Sequence, residues 1–141
     1  MDHSQQALVF TVGRNRYAMD ILHLKEVGRM PLVERIPDGP PWLLGMIRMH
    51  GRPVRLFDLA TLLKEQGGAP AETEGTRSWL VVSRDGDGEC HWRVDSVEDI
   101  VDYDPSQVIP ANGPAALGAL DLQGTLVHLL TPDLLCARQA A

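Results

Sequence analysis

An all-β fold is predicted by three features of the sequence. The apolar runs are short and rich in Val, Ile, Leu and aromatic residues, whose branched or flat side chains suit a pleated surface. Glycine and asparagine turn signals separate them. A motif from the first half of the chain also returns in the second half, as repeated β modules would require.

Each element has its own justification. Residues 8–12 and 16–19 flank Gly13-Arg14-Asn15 and predict a hairpin. Residues 78–83 and 89–94 flank Arg84-Asp85-Gly86-Asp87-Gly88 in the same way. Further strands are expected over 23–30, 44–49, 53–57, 117–120 and 125–130. Short helices are expected over 58–64 and 132–138, opened by Asp58 and Thr131 as N-caps. Residues 65–77 carry too little apolar surface to bury and read as a mobile loop.

The repeat aligns Gly45-Met46-Ile47-Arg48-Met49-His50-Gly51 with Gly118-Ala119-Leu120-Asp121-Leu122-Gln123-Gly124 and continues without a gap to Asp58 and Thr131, an offset of 73. The runs Leu8-Val9-Phe10 and Leu80-Val81-Val82 repeat at 72. Two halves follow, about 7–64 and 78–138. A module of roughly 60 residues holds a thin core alone, so the halves are expected to pack as a single domain over 7–138 with a groove between them.

Composition narrows the function classes. With 141 residues, 44% hydrophobic and 23% charged, the chain can build a real core. No apolar run approaches the ~20 residues that span a bilayer, and no signal peptide is expected from the N-terminal residues. Cys90 and Cys136 form no CxxC pair, so reduced thiols in a cytoplasmic protein are expected. The formal charge of −6 opposes general nucleic-acid affinity, and it is unevenly spread. Residues 1–64 carry a net +3 and residues 65–141 a net −9. Two faces of opposite sign would suit docking between two partners, and acidic strand faces that merely hold water would give the same count.

No catalytic residue, metal site or cofactor site is expected. His3, His23, His50, His91 and His128 are scattered, without HExxH or a close cysteine pair, and GxSxG, P-loop and GxGxxG motifs are missing. Asp85-Gly86-Asp87-Gly88 has calcium-loop character, but Val94 falls where the bidentate glutamate belongs, and a hairpin turn explains the motif better. Trp42, Trp79 and Trp92 read as core or rim. Alternation along the strand sets Met46, Arg48, His50 and Arg52 on one face, with Ile47 and Met49 turned inward. That cationic stripe could grip acidic groups of a partner through charge-assisted hydrogen bonds, or serve as a charged edge that discourages aggregation.

The chain resembles the CheW-like family from about Ala7 to Arg138. The matching pieces are Leu8-Val9-Phe10, Tyr17-Ala18-Met19-Asp20-Ile21, Glu26-Val27, Ile36-Pro37, Leu44-Gly45, Phe57-Asp58-Leu59, Val94-Asp95-Ser96-Val97, Ile109-Pro110, Leu117-Gly118-Ala119 and Leu134-Leu135. The resemblance implies two intertwined SH3-like five-stranded β-barrels with short helices. It also implies a non-enzymatic adaptor that joins the cytoplasmic tip of chemoreceptors to the regulatory domain of a CheA-type histidine kinase. Leu24, Glu26 and Val27 fall where the family contacts partners. Partner binding extends, on the same resemblance, to Arg48, His50, Gly51, Arg52 and Arg55, and to Val94, Asp95 and Val97.

The sequence departs from the family at several positions. Arg48-Met49-His50-Gly51 stands where the family has Asn-Leu-Arg-Gly, so His50 replaces an arginine of the receptor-facing groove. Arg55 replaces a proline, His91 a glycine, and the stretch from Ile109 to Gly118 is shorter than usual. A diverged scaffold without ordinary receptor contact is therefore a second reading. A binder of acidic polymers or nucleic acid through the Arg48 to Arg55 stripe, and a small hydrolase, are the readings from other classes. Neither direct membrane insertion nor nucleic-acid binding is expected.

Overall fold

The computed structural model describes residues 4–63, 78–85, 88–110 and 116–131. The strands are β1 (Gln5–Val12), β2 (Asn15–Asp20), β3 (Leu24–Arg29), β4 (Leu43–Met49) and β5 (Arg52–Asp58), followed by helix α1 (Leu59–Leu63). The second half supplies β6 (Trp79–Asp85), β7 (Gly88–Val94), β8 (Ser96–Tyr103), β9 (Ile109–Pro110), β10 (Ala116–Leu122) and β11 (Thr125–Leu130). The expected helix over 132–138 and loop over 65–77 lie outside the described residues.

Two mixed sheets form, and each draws strands from both halves of the chain. One runs β8-β1-β2-β11-β10-β9 and the other β3-β6-β7-β5-β4, the architecture of two intertwined SH3-like barrels. The exchange has a simple logic. Hairpin β1–β2 leaves its own half to pair with β8 and β11, while hairpin β6–β7 pairs with β3 and β5. The two parallel joins are images of each other at the repeat spacing of 73: Leu56 pairs with His91, and Leu129 with Ala18.

The repeat is visible in fine detail. The β4–β5 ladder shifts register between Leu43 and Gly45, and the β10–β11 ladder between Ala116 and Gly118. At both bulges a neighbouring backbone comes close. A Cβ on Gly45 would lie 2.2 Å from the Glu34 carbonyl oxygen, and one on Gly118 would lie 2.4 Å from that of Ile109. Only glycine fits there.

Burial follows from the intertwining. In β1, Ala7 and Val9 point into the core of their own sheet, and Phe10 and Val12 point into a central core shared by both sheets. Both faces of the strand are covered, which explains its unbroken apolar run. The central core joins Phe10, Tyr17, Met19 and Leu130 to Phe57, Val81, Trp92 and Val94. A third cluster of Ile47, Leu56, Leu80 and Val82 fills the second sheet. Each fully buried large apolar side chain contributes about 1.5–3 kcal/mol. Trp92 also donates to the Ser83 hydroxyl at 2.8 Å, so its indole N–H is satisfied inside the core.

Strand β8 is the longer of two strands that the sequence patterning did not announce, the other being the short β9. Glu98, Asp99, Ile100 and Asp102 are exposed along β8, which hides the alternation of a strand. It lies at a sheet edge, where charge opposes further pairing. A bulge sets Glu98 and Asp99 opposite Val9, and Arg16 pairs with Glu98 at 2.7 Å.

Candidate partner-binding surface

The expected surface residues separate into three groups. The first lies along the edge strand β3. Its exposed positions are Lys25, Val27 and Arg29, with Val27 at 38% exposure, whereas Leu24 packs on the central core. Glu26 reaches the tip of the β4–β5 hairpin, where its Oε2 lies 3.3 Å from His50 Nε2. His50 and Gly51 both adopt positive φ, 53° and 83°, as a tight primed turn demands. Gln123 and Gly124 do the same in the other repeat, at 54° and 87°.

Below that contact lies a second charged layer. Lys25 Nζ donates to Glu89 Oε1 at 2.6 Å, and this bond holds the Glu89 carboxyl below its ordinary range. His91 is 7% exposed on the inner face of β7, and burial pushes its imidazole pKa down.

The second group is the arginine cluster, and here the structure corrects the expected stripe. Met46 pairs with Arg55 and Arg48 with Pro53, so Arg48 and Arg55 share one outward face. Arg52 pairs with Met49 on the opposite face, and His50 sits in the turn. The primed turn interrupts strand alternation after Met49. Arg55 lies over the Phe57 ring, 5.7 Å from its centroid.

The third group is largely interior. Val94 is 1% exposed and belongs to the central core, and Val97 packs against that core. Asp95 sits at the corner between β7 and β8. Its Oδ2 accepts from the Gly13 backbone N–H at 2.7 Å, and its own N–H donates to the Thr11 carbonyl. These bonds lock the β7–β8 corner against the first hairpin.

A buried cation that sequence reasoning missed stands beside Asp95. Arg93, 3% exposed, places Nη1 3.1 Å from Asp95 Oδ1 and 3.5 Å from Asp58 Oδ1, while its Nε donates to Ser78 Oγ at 2.9 Å. Arg93 Nη2 and Asp95 Oδ1 are buried without hydrogen-bond partners, so the Arg93–Asp95 contact is ionic and poorly aligned. Asp58 precedes α1 as expected, and its carboxylate accepts from the Thr61 hydroxyl at 2.7 Å besides facing Arg93. The available signal was one arginine between the apolar Trp92 and Val94, with Asp58 closing β5 and Asp95 following β7.

The cysteines also differ from expectation. Cys90 is in a disulfide rather than a reduced thiol. Cys136 lies outside the described residues. Among the described residues no three His, Cys, Asp or Glu side chains are placed to hold a metal, and no helix is long and apolar enough to cross a membrane.

Comparison with known proteins agrees with this geometry. The CheW-like domain family matches residues 6–140. The chain is 29% identical over 107 residues to the chemotaxis protein CheW of Klebsiella aerogenes, a match covering 76% of this chain and 62% of that protein. Its fold is similar to the crystal structure of the scaffolding protein TtCheW from Thermoanaerobacter tengcongensis, with a TM-score of 0.78 and 17% identity over 90% of this chain and 88% of that one. With its intertwined barrels and a family match over nearly its whole length, the chain belongs to the CheW-like domain family.

Proposed function

We propose that this protein is a non-enzymatic cytoplasmic adaptor that couples the tips of chemoreceptors to the regulatory domain of a CheA-type histidine kinase. The match of the CheW-like domain to residues 6–140 carries this reading. It is supported by the relative that is a chemotaxis protein and by the structural relative that is a scaffolding protein. In this reading residues 7–138 act as one domain. The edge of β3 and the β4–β5 hairpin tip, with Val27, Glu26, His50 and Gly51, form one docking face. Arg48 and Arg55 form a second, cationic one. Val94, Asp95 and Val97 act from the interior by holding the β7–β8 corner.

Chemistry supports a docking role for these groups. Val27 offers apolar contact on an open strand edge, and the adjacent charges supply direction. The polymer-binding alternative has less support, since Arg52 lies on a different face from Arg48 and Arg55 and the arginines make no continuous track. The test is a pulldown with a kinase regulatory domain and, separately, with a receptor cytoplasmic fragment. Retention of both supports the adaptor. Retention of the kinase alone indicates a scaffold that has changed its receptor contact.

A further inference from the structure

The connection between β3 and β4 meets the β4 edge at a single point. Glu34 and Met46 exchange two backbone hydrogen bonds, each 2.8 Å, as an isolated antiparallel bridge. If that ladder continued, Leu32 would stand opposite Arg48. It does not continue, and the two segments fork apart. The fork holds a cavity of about 150 Å³ lined by Pro31, Leu32, Glu34, Met46, Arg48 and Pro53.

The lining specifies an occupant. Leu32 is 86% exposed, an apolar wall with nothing covering it among the described residues, and Met46 and Pro53 make an apolar floor. Arg48 stands on one rim, exposed and without an ion pair among the described residues, and Arg55 shares its face. Glu34 stands on the other rim. Because Met46 directs its backbone N–H and C=O outward to Glu34, Arg48 two residues on directs its own outward as well. The fork thus combines an apolar pocket, open backbone hydrogen-bonding groups and a cation on one side only.

We propose that this fork is a docking site for an extended segment of a partner protein in which a bulky apolar side chain is followed directly by carboxylates. The apolar side chain fills the space between Leu32, Met46 and Pro53. The segment continues the interrupted ladder by pairing with the backbone at Arg48, and its carboxylates meet the Arg48 guanidinium. Glu34 fixes the polarity, because the reverse order would bring like charges together. The site goes beyond the coupling role, since it specifies a peptide chemistry that a kinase, a receptor or another signalling protein could supply.

The test is an amide NMR titration of the full chain with a capped synthetic peptide containing leucine followed by two aspartates. Two control peptides carry serine for the leucine or lysines for the aspartates. Saturable shifts at Leu32, Met46 and Arg48 are expected with the first peptide only. Arg48→Glu should weaken binding by about ten-fold or more, the loss of one charge-assisted contact. Leu32→Ser, at an exposed position that folding does not require, should weaken it likewise. No saturable shift at millimolar peptide, equal binding of the lysine peptide, or shifts confined to other surfaces would overturn the proposal. Because the probe contains neither kinase nor receptor, its failure leaves the adaptor reading intact.

Discussion

His50 Nε2 lies 3.3 Å from Glu26 Oε2, tying the tip of the β4–β5 hairpin to the edge strand β3. Both side chains are accessible, His50 at 71% and Glu26 at 38%, so a docking partner can reach the contact. It is an ion pair only when the imidazole carries its proton. An arginine at this position would keep the pair charged throughout the working pH range. His50→Arg is therefore expected to strengthen receptor binding. Its effect on stability should stay within about 1 kcal/mol, as for other exposed pairs. Calorimetric titration of both forms with a receptor fragment checks this, and equal affinities would remove the pair from the docking face.

Arg93 is the most sensitive buried position. Its guanidinium sits between the carboxylates of Asp58 and Asp95 at 3.5 and 3.1 Å. Arg93→Met would leave two carboxylates facing each other in a closed site. The expected loss is about 3–5 kcal/mol in denaturant unfolding. Replacing all three residues by apolar ones should be less damaging than Arg93→Met alone, because no charge is then left unpaired. A loss below about 1 kcal/mol for Arg93→Met would show that the network carries little.

Tyr103 holds the far edge of the other sheet. Its hydroxyl donates to the buried Asp20 carboxylate and contacts Gln5 Oε1 at 2.9 Å. Burial, with the Asp20 carboxylate, raises its pKa above the ordinary phenol value. Tyr103→Phe keeps the ring and removes the hydroxyl, so Asp20 loses a partner. A destabilisation of about 1–3 kcal/mol is expected from thermal or urea unfolding.

His91 predicts a pH dependence with a definite sign. Burial lowers its pKa below the ordinary 6.5, against the opposing pull of Glu89 and Glu26, while Lys25 adds to the lowering. Between the depressed folded value and 6.5 the unfolded chain binds more protons than the folded one. The contribution is therefore complete above about pH 6.5 and is lost as pH falls through the folded pKa. Urea midpoints measured from pH 7.5 to 5 should decline on the acid side, and His91→Gln should flatten that decline. A slope unchanged in His91→Gln would assign the effect elsewhere.

Legibility in the sequence tracked how local each cause was. The hairpins, the β4–β5 and β10–β11 repeat and the central aromatic residues were readable because alternation, turn residues and offset are written in adjacent positions. Strand β8 was not, since its exposed Glu98, Asp99 and Asp102 reflect an edge location that only the assembled sheet defines. The face of Arg52 was misread because the primed turn at His50-Gly51 breaks the alternation that the preceding strand obeys. Arg93 could not be located because its partners arrive through the parallel β5–β7 join and the β7–β8 corner. The fork at Leu32 and Arg48 was invisible for the same reason: it depends on where a long connection leaves a sheet edge.

An adaptor has to engage two signalling partners at once. Isothermal titration of the full chain with a CheA-type regulatory domain, and separately with a chemoreceptor cytoplasmic fragment, measures both contacts. The adaptor account predicts saturable binding to each, with the kinase–adaptor complex still able to bind receptor. Heat-silent, unsaturable titrations with cognate forms of both partners would contradict it.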